Sequence, residues 1–259
     1  MQRWINAKRA AGLSERTVQL AYAVLRRALG QATRWGEARR NVAALVDRPR
    51  VARKEATHLS PDQAQAFLNA ARGDRLEAFY AVAIACGVRR GEALALRWDR
   101  VDLDDGTLRV AATISRINRA LLITEPKTER SRRTVPISPA VVAMLRKHRT
   151  EQKAEKLRAG GHWVDSGLVF TTELGGAVDP RNLLRVIEAA AKAAGVEDVG
   201  VHTLRHSAAV SWLESGVHIK AVADLLGHSS IAITGDVYGH TSDDTARAAV
   251  DGLAGRLGL

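Results

Sequence analysis

Apolar residues recur at helical period between positions 14 and 35. Thr17, Leu20, Ala21, Val24, Leu25, Ala28, Leu29 and Ala32 form one stripe, which predicts the first long helix. Ser14 stands where an N-cap is needed, with Leu13 and Val18 placed as a hydrophobic staple. Residues 47–58 break the pattern with Pro49, mixed charges and no period, and read as a linker. At Ser60-Pro61-Asp62-Gln63 a new helix begins: Ser60 is the cap, Pro61 the first helical position and Gln63 the capping-box partner. Helices follow near 61–71 and 75–86. Over 101–137 the period shortens to two. Val101, Leu103, the turn Asp104-Asp105-Gly106, Leu108, Val110 and a run at 121–124 predict a small antiparallel sheet. Ser138-Pro139 opens another helix through Val141, Val142 and Leu145, which trails into a polar stretch at 147–165. A strand-like run at 168–170 and a helix over about 179–194 come next. From His202 the chain is helical again, with Leu204, Ala208, Trp212 and Leu213 turned to the core and His202 and Arg205 left to face a cleft. Gly216 and Gly227 are placed as helix stops, and Ala246, Ala249, Val250, Leu253 and Leu257 predict a last helix over 242–259. The fold class expected is mainly α with a small antiparallel β-sheet, α+β. Its parts are a partial helical domain over 1–46, the linker 47–58 and a larger domain over 59–259.

Composition narrows the class. At 259 residues and 46% hydrophobic, the chain can bury a sizeable core. One cysteine, Cys86, excludes an internal disulfide framework and a cysteine-rich zinc site, and in its apolar run it reads as a small buried residue. No apolar run is long enough for a membrane span and no signal segment opens the chain, so the expectation is a cytoplasmic protein with no membrane partner. Charge is unevenly spread. Residues 1–55 carry 13 Lys or Arg against 4 Asp or Glu, a balance of +9 out of the total +11. Such a basic lobe points to a polyanion, nucleic acid ahead of membrane. A solvated basic face with no partner would look the same, and Arg26, Arg27 and Arg34 fit either reading.

The chemistry is concentrated late. Between His202 and His240 lie five of the eight histidines, with Arg205 and Tyr238 among them. Guanidiniums suit non-bridging phosphate oxygens, imidazoles exchange protons near neutrality, and a phenol can act as nucleophile. His202-Thr-Leu-Arg205, then Leu226-Gly227-His228, then Tyr238 ten residues beyond that histidine resemble the C-terminal signature of the tyrosine recombinases, the phage integrase family. Two earlier boxes extend the resemblance. Gly87-Val-Arg89-Arg-Gly-Glu92 resembles the family's Gly-x-Arg-x-x-Glu, and Lys127-Thr-Glu-Arg-Ser-Arg-Arg-Thr-Val-Pro136 resembles its lysine-bearing hairpin. The matched stretch runs over about 14–259.

The resemblance implies an integrase-like catalytic domain over 59–259, preceded by part of a core-binding DNA domain over 1–46 whose upstream helices are missing from this chain. It implies DNA strand exchange through a 3′-phosphotyrosine. Tyr238 would be the nucleophile, Arg89 and Arg205 would hold the phosphate, and Lys127 would protonate the leaving oxygen. His202 would serve as acid/base, and His228 would donate a hydrogen bond to the phosphate. Glu92 would hold its local helix. No cofactor or metal is implied, because the cationic side chains supply the charge. The partners implied are double-stranded DNA, a homo-tetramer assembled on it and an accessory directionality factor. Arg90 competes with Arg89 on composition alone, and the motif's spacing selects Arg89. Rival readings are a catalytically impaired DNA-binding remnant, a type IB topoisomerase-like enzyme, and a zinc hydrolase built on His202 and His206. The last lacks the glutamate expected between two such ligands.

Overall fold

The computed structural model describes residues 1–51, 57–118, 120–126, 131–197, 199–228 and 230–238, with backbone only at Ile233 and over 236–238. The chain divides into two compact units, Met1–Glu55 and Ala56–Leu259. It is mostly helical with small antiparallel sheets, and no helix among the described residues is long and apolar enough to cross a membrane.

In the first unit, α1 (Gln2–Ala10) precedes α2 (Glu15–Arg34), and a 3₁₀ turn follows at Val42–Leu45. Helix α1 is absent from the pattern reading, because only Trp4 and Ile5 in it are large and apolar. Ser14 caps α2 as expected, its hydroxyl accepting from the Thr17 amide at 3.2 Å. The buried face of α2 is not the one the stripe predicts. Val18 and Tyr22 go inside with Ile5 and Ala43, while Leu20 and Val24 stay 53% and 69% exposed. Tyr22 decides this rotation. Its hydroxyl donates to the Ala43 carbonyl at 2.7 Å, so an amphipathic phenol takes the inward position with its polar tip satisfied.

The second unit is built round α4 (Glu77–Cys86), buried on nearly every side and packed against α6 (Pro139–Ala159) and α8 (Val201–Glu214). A helix apolar all round belongs at a centre of this kind. Helix α3 (Pro61–Ala70) starts with the capping box read from Ser60 and Gln63. The Leu59 amide before it donates to Ser207 Oγ of α8 at 2.8 Å. A short helix α5 (Arg90–Leu94) leads into the β region, where the single sheet expected proves to be two. Strands β1 (Val101–Asp102), β2 (Thr107–Val110) and β5 (Arg133–Pro136) form one, in the order β1-β2-β5, and β3 (Thr113–Ile117) pairs with β4 (Ala120–Thr124) in the other. The run at 168–170 makes only an isolated bridge, Leu168 to Arg97. Helix α6 runs on to Ala159 through the polar stretch, one side held in by buried His148 and Gln152, which bond the Val169 carbonyl at 2.8 and 3.0 Å. Helices α7 (Pro180–Ala193), α8, α9 (Ile219–Leu226) and α10 (Ile231–Tyr238) complete the unit. The tail helix expected over 242–259 lies outside the described residues.

Helix α5 sits hard against β3. A Cβ on Gly91 would meet Thr113 Oγ1 and come within 2.7 Å of the Ile114 carbonyl oxygen. Backbone cannot yield as a flexible side chain does, so Gly91→Ala should destabilise this unit by about 1–3 kcal/mol despite alanine's better helix propensity. A lowered thermal or urea midpoint checks this, and a midpoint raised by the substitution would refute the packing argument.

Candidate phosphate-binding site

The site forms where α9 ends. Gly227 closes that helix in the left-handed conformation, φ +64°, a C-cap favourable for glycine. The final carbonyls of a helix have no partners within it and carry the negative end of its dipole. Here three successive ones meet three arginines. Arg133 Nε donates to Leu225 O at 2.6 Å, Arg205 Nη2 to Leu226 O at 2.8 Å and Arg89 Nη2 to Gly227 O at 3.1 Å.

Each arginine reaches that point from a different element. Arg89 caps α5, and Arg205 lies on α8 four residues inside its start. Arg133 heads β5, whose alternation puts it on the same face as buried Val135. One carboxylate joins two of them. Glu92 accepts from Arg89 Nη1 at 2.7 Å, from the Arg89 amide at 2.9 Å and from Arg133 Nη2 at 2.9 Å. Burial works to raise the Glu92 pKa, but hydrogen bonding and charge from Arg133, with Arg89 behind it, hold the carboxyl below its usual range. It is therefore ionised at neutrality. Three guanidiniums and one carboxylate leave a formal charge of +2, suited to an anion.

Arg205 departs from the expectation that it would stand free in a cleft. It is 6% exposed, and its guanidinium also donates to Gly87 O at 2.6 Å. Positions 201, 204, 205 and 208 share the buried face of α8, and the backbone carbonyls of Gly87 and Leu226 are what make a charge tolerable there. His202, one turn earlier, is exposed. Its pKa is lowered by partial desolvation first, then by Arg90, Arg205 and Arg89, so its ring is neutral at pH 7. His206 is shifted down likewise, by desolvation, His58 and His202. His228 follows Gly227 directly and sits within the cluster. Nε2 lies 3.0 Å from Arg205 Nη2 and Nδ1 lies 2.8 Å from Thr234 Oγ1. Desolvation and the charges of Arg205, Arg89 and Arg133 push its pKa down to about 4.

The structure thus brings Arg89, Arg205 and His228 together, with His202 in their field. Arg90 bonds elsewhere, to the Pro180 carbonyl at 3.4 Å. Tyr238 is the last residue of α10, and its side chain lies outside the described residues, as does Lys127, between β4 and β5. Among the described residues no group of three or more His, Cys, Asp or Glu is placed to hold a metal ion. Sequence reasoning missed Arg133 and Thr234. Arg133 was findable from the period of two it shares with Val135, whereas nothing local marks Thr234.

A model of the phage integrase family matches residues 57–245. A tyrosine recombinase XerC-like protein of Caldanaerobacter subterraneus subsp. tengcongensis is 38% identical over 206 residues, which are 75% of this chain and 53% of that protein. An integrase of Streptomyces ambofaciens is 33% identical over 92% of this chain and 63% of its own length. The chain therefore spans between half and two thirds of these relatives. Among solved structures, the Tn1549 transposon integrase in complex with a circular intermediate DNA has a TM-score of 0.78 at 20% identity, covering 97% of this chain and 84% of that one. A lambda integrase dimer bound to a COC′ core site has a TM-score of 0.61 at 19% identity, covering 93% and 80%. At those identities the likeness is one of fold.

Two outcomes follow for stability. Folded His228 takes a proton only near pH 4, whereas an unfolded histidine does so at about 6.5. Between those values the unfolded state binds more protons, so stability is complete above about pH 6.5 and should decline as pH falls toward 4. Thermal midpoints measured from pH 7.5 to 4.5 should show this, with a shallower decline in His228→Gln. Glu92→Ala strands Arg133, whose side chain is 7% exposed, and should cost about 3–5 kcal/mol by denaturant unfolding, with Glu92→Gln costing less.

Proposed function

The chain belongs to the phage integrase family, and from that premise we propose that it is a tyrosine-type site-specific recombinase that breaks and rejoins DNA. The observation that carries the proposal is the convergence of Arg89, Arg205 and Arg133 on the end of α9. It leaves a positively charged site with neutral imidazoles beside it. A phosphodiester gains negative charge on its non-bridging oxygens as a fifth oxygen approaches. Fixed guanidinium donors stabilise that change without reorganising.

In the scheme proposed, the Tyr238 hydroxyl attacks the scissile phosphorus and forms a 3′-phosphotyrosine, while the bond to the 5′ oxygen breaks. Lys127 gives that oxygen its proton. His202, kept neutral by partial desolvation and then by its cationic neighbours, receives the proton of the phenol. Arg89 and Arg205 hold the non-bridging oxygens, and His228 contributes a hydrogen bond to them. Attack by a partner strand's 5′-hydroxyl reverses the sequence, so bond energy is conserved and no external energy source is used. Cationic side chains supply the charge that a metal ion would otherwise bring, so the scheme needs no cofactor.

The remaining partners belong to the same proposal. Residues 1–46 act as a DNA-binding lobe and 47–58 as a linker, the positive balance of residues 1–55 supplying phosphate affinity. The substrate is double-stranded DNA carrying attachment sites. Assembly on it is as a homo-tetramer, in the cytoplasm, with an accessory factor setting direction.

Suicide duplexes drawn from the DNA flanking the gene should trap a covalent adduct, visible on a denaturing gel. Tyr238→Phe should abolish the adduct and leave DNA affinity within about twofold, since a hydroxyl is all that is removed. An adduct that persists in that variant would overturn the assignment of the nucleophile.

A further inference from the structure

Arg133 belongs to the cluster without opening onto solvent. Its side chain is 7% exposed, against 39% for that of Arg89. Its guanidinium is directed at groups of the protein: Nε donates to Leu225 O at 2.6 Å, Nη2 to Glu92 Oε2 at 2.9 Å and Nη1 to Ser131 O at 3.3 Å. A side chain so enclosed is poorly placed to grip a phosphate that arrives from solvent. Arg89 is better placed. It gives one N–H of Nη1 to Glu92 Oε1 and one of Nη2 to Gly227 O, and a guanidinium carries five, so donors remain beyond these two bonds for an anion.

That pose depends on how one carboxylate is divided. Glu92 Oε1 takes the Arg89 guanidinium, whereas Oε2 takes Arg133 and the Arg89 amide. Carboxylate and guanidinium readily pair as a fork, with two parallel N–H···O bonds. A fork between Glu92 and Arg89 would pull the arginine off Gly227 O and use donors that a phosphate needs. Arg133 at Oε2 stands in the way of it. Arg133 also meets the charge: burial works to raise the Glu92 pKa, and Arg133, ahead of Arg89, brings it down. Without Arg133 the buried anion would turn to Arg89 and offset the positive charge that faces the ligand.

We infer that Arg133 is a positioning residue for the phosphate grip: by occupying one oxygen of Glu92 it limits Arg89 to the other, and so keeps Arg89 anchored on the end of α9 with donors to give an anion. The consequence for strand cleavage rests on the recombinase reading, whereas the effect on anion binding is a property of the site itself.

The test uses the full chain with inorganic phosphate as the probe at pH 8, and crystal structures of the variants as a second readout. Arg133→Met, which keeps an unbranched apolar stem and removes the guanidinium, should bind phosphate about tenfold more weakly. Its structure should show Arg89 forked on both oxygens of Glu92, with the bond to Gly227 O broken. Adding Glu92→Gln removes the charge that draws Arg89 away, so the double variant should return Arg89 to Gly227 O and phosphate affinity to within about threefold of wild type. A role confined to holding β5 against α9 would leave the double variant as weak as the single one. That result, or an Arg89 unmoved in Arg133→Met, would overturn the inference. If Arg133→Met does not fold, the double variant strands no buried charge and decides the matter against wild type, a tenfold loss of phosphate affinity there overturning the inference. Rates of adduct formation on the suicide duplex should follow the phosphate affinities. A wild-type chain that forms no adduct, while phosphate affinity responds to these substitutions as described, would instead refute the recombinase reading and uphold the role of Arg133.

Discussion

The end of α9 is the constraint on which the site depends. Guanidiniums repel one another, and three of them from three separate elements would not gather unaided. The unfilled carbonyls of Leu225, Leu226 and Gly227 give each a fixed place, and buried Glu92 neutralises part of the remaining charge. Gly227 makes this possible by turning the chain in the left-handed conformation. The same turn sets His228 directly beside the arginines it follows. Anchoring by backbone has a further advantage, since carbonyls can hold a cation without cancelling its charge.

Protonation follows from burial and from that crowding. Desolvation first, and then so many positive groups, disfavour an imidazolium, and both His202 and His228 stay neutral at pH 7. A neutral histidine offers one donor and one acceptor, so its usefulness depends on which nitrogen holds the proton. Arg205 faces one ring nitrogen of His228 and the Thr234 hydroxyl faces the other.

Particular residues show how far the pattern of the chain could be read. The capping box at Ser60 and Gln63 and the N-caps at Ser14 and Ser138 were legible, because a cap is a local hydrogen bond among residues three or fewer apart. The inward face of α2 was misread, because Leu20 and Val24 outrank Tyr22 on any hydropathy count and the carbonyls of Ala43 and Val46 reverse that order. Helix α1 escaped notice because too few of its residues are apolar for a period to show. The second sheet escaped as well, since strand pairing is a long-range choice and alternation alone does not say which strand meets which.

What the sequence determined by itself is the chemical inventory and its local setting: the boxes that hold Arg89, Arg205 and His228, the mainly helical class, and the basic balance of the first 55 residues. Tertiary structure alone decided that Arg205 is buried, that Arg133 joins the cluster from a strand, and that the Thr234 hydroxyl meets His228 Nδ1. These facts depend on which carbonyls and hydroxyls arrive from elements distant in sequence. A buried charge or imidazole takes its state from the partners that satisfy it, and those exist only once the chain has packed.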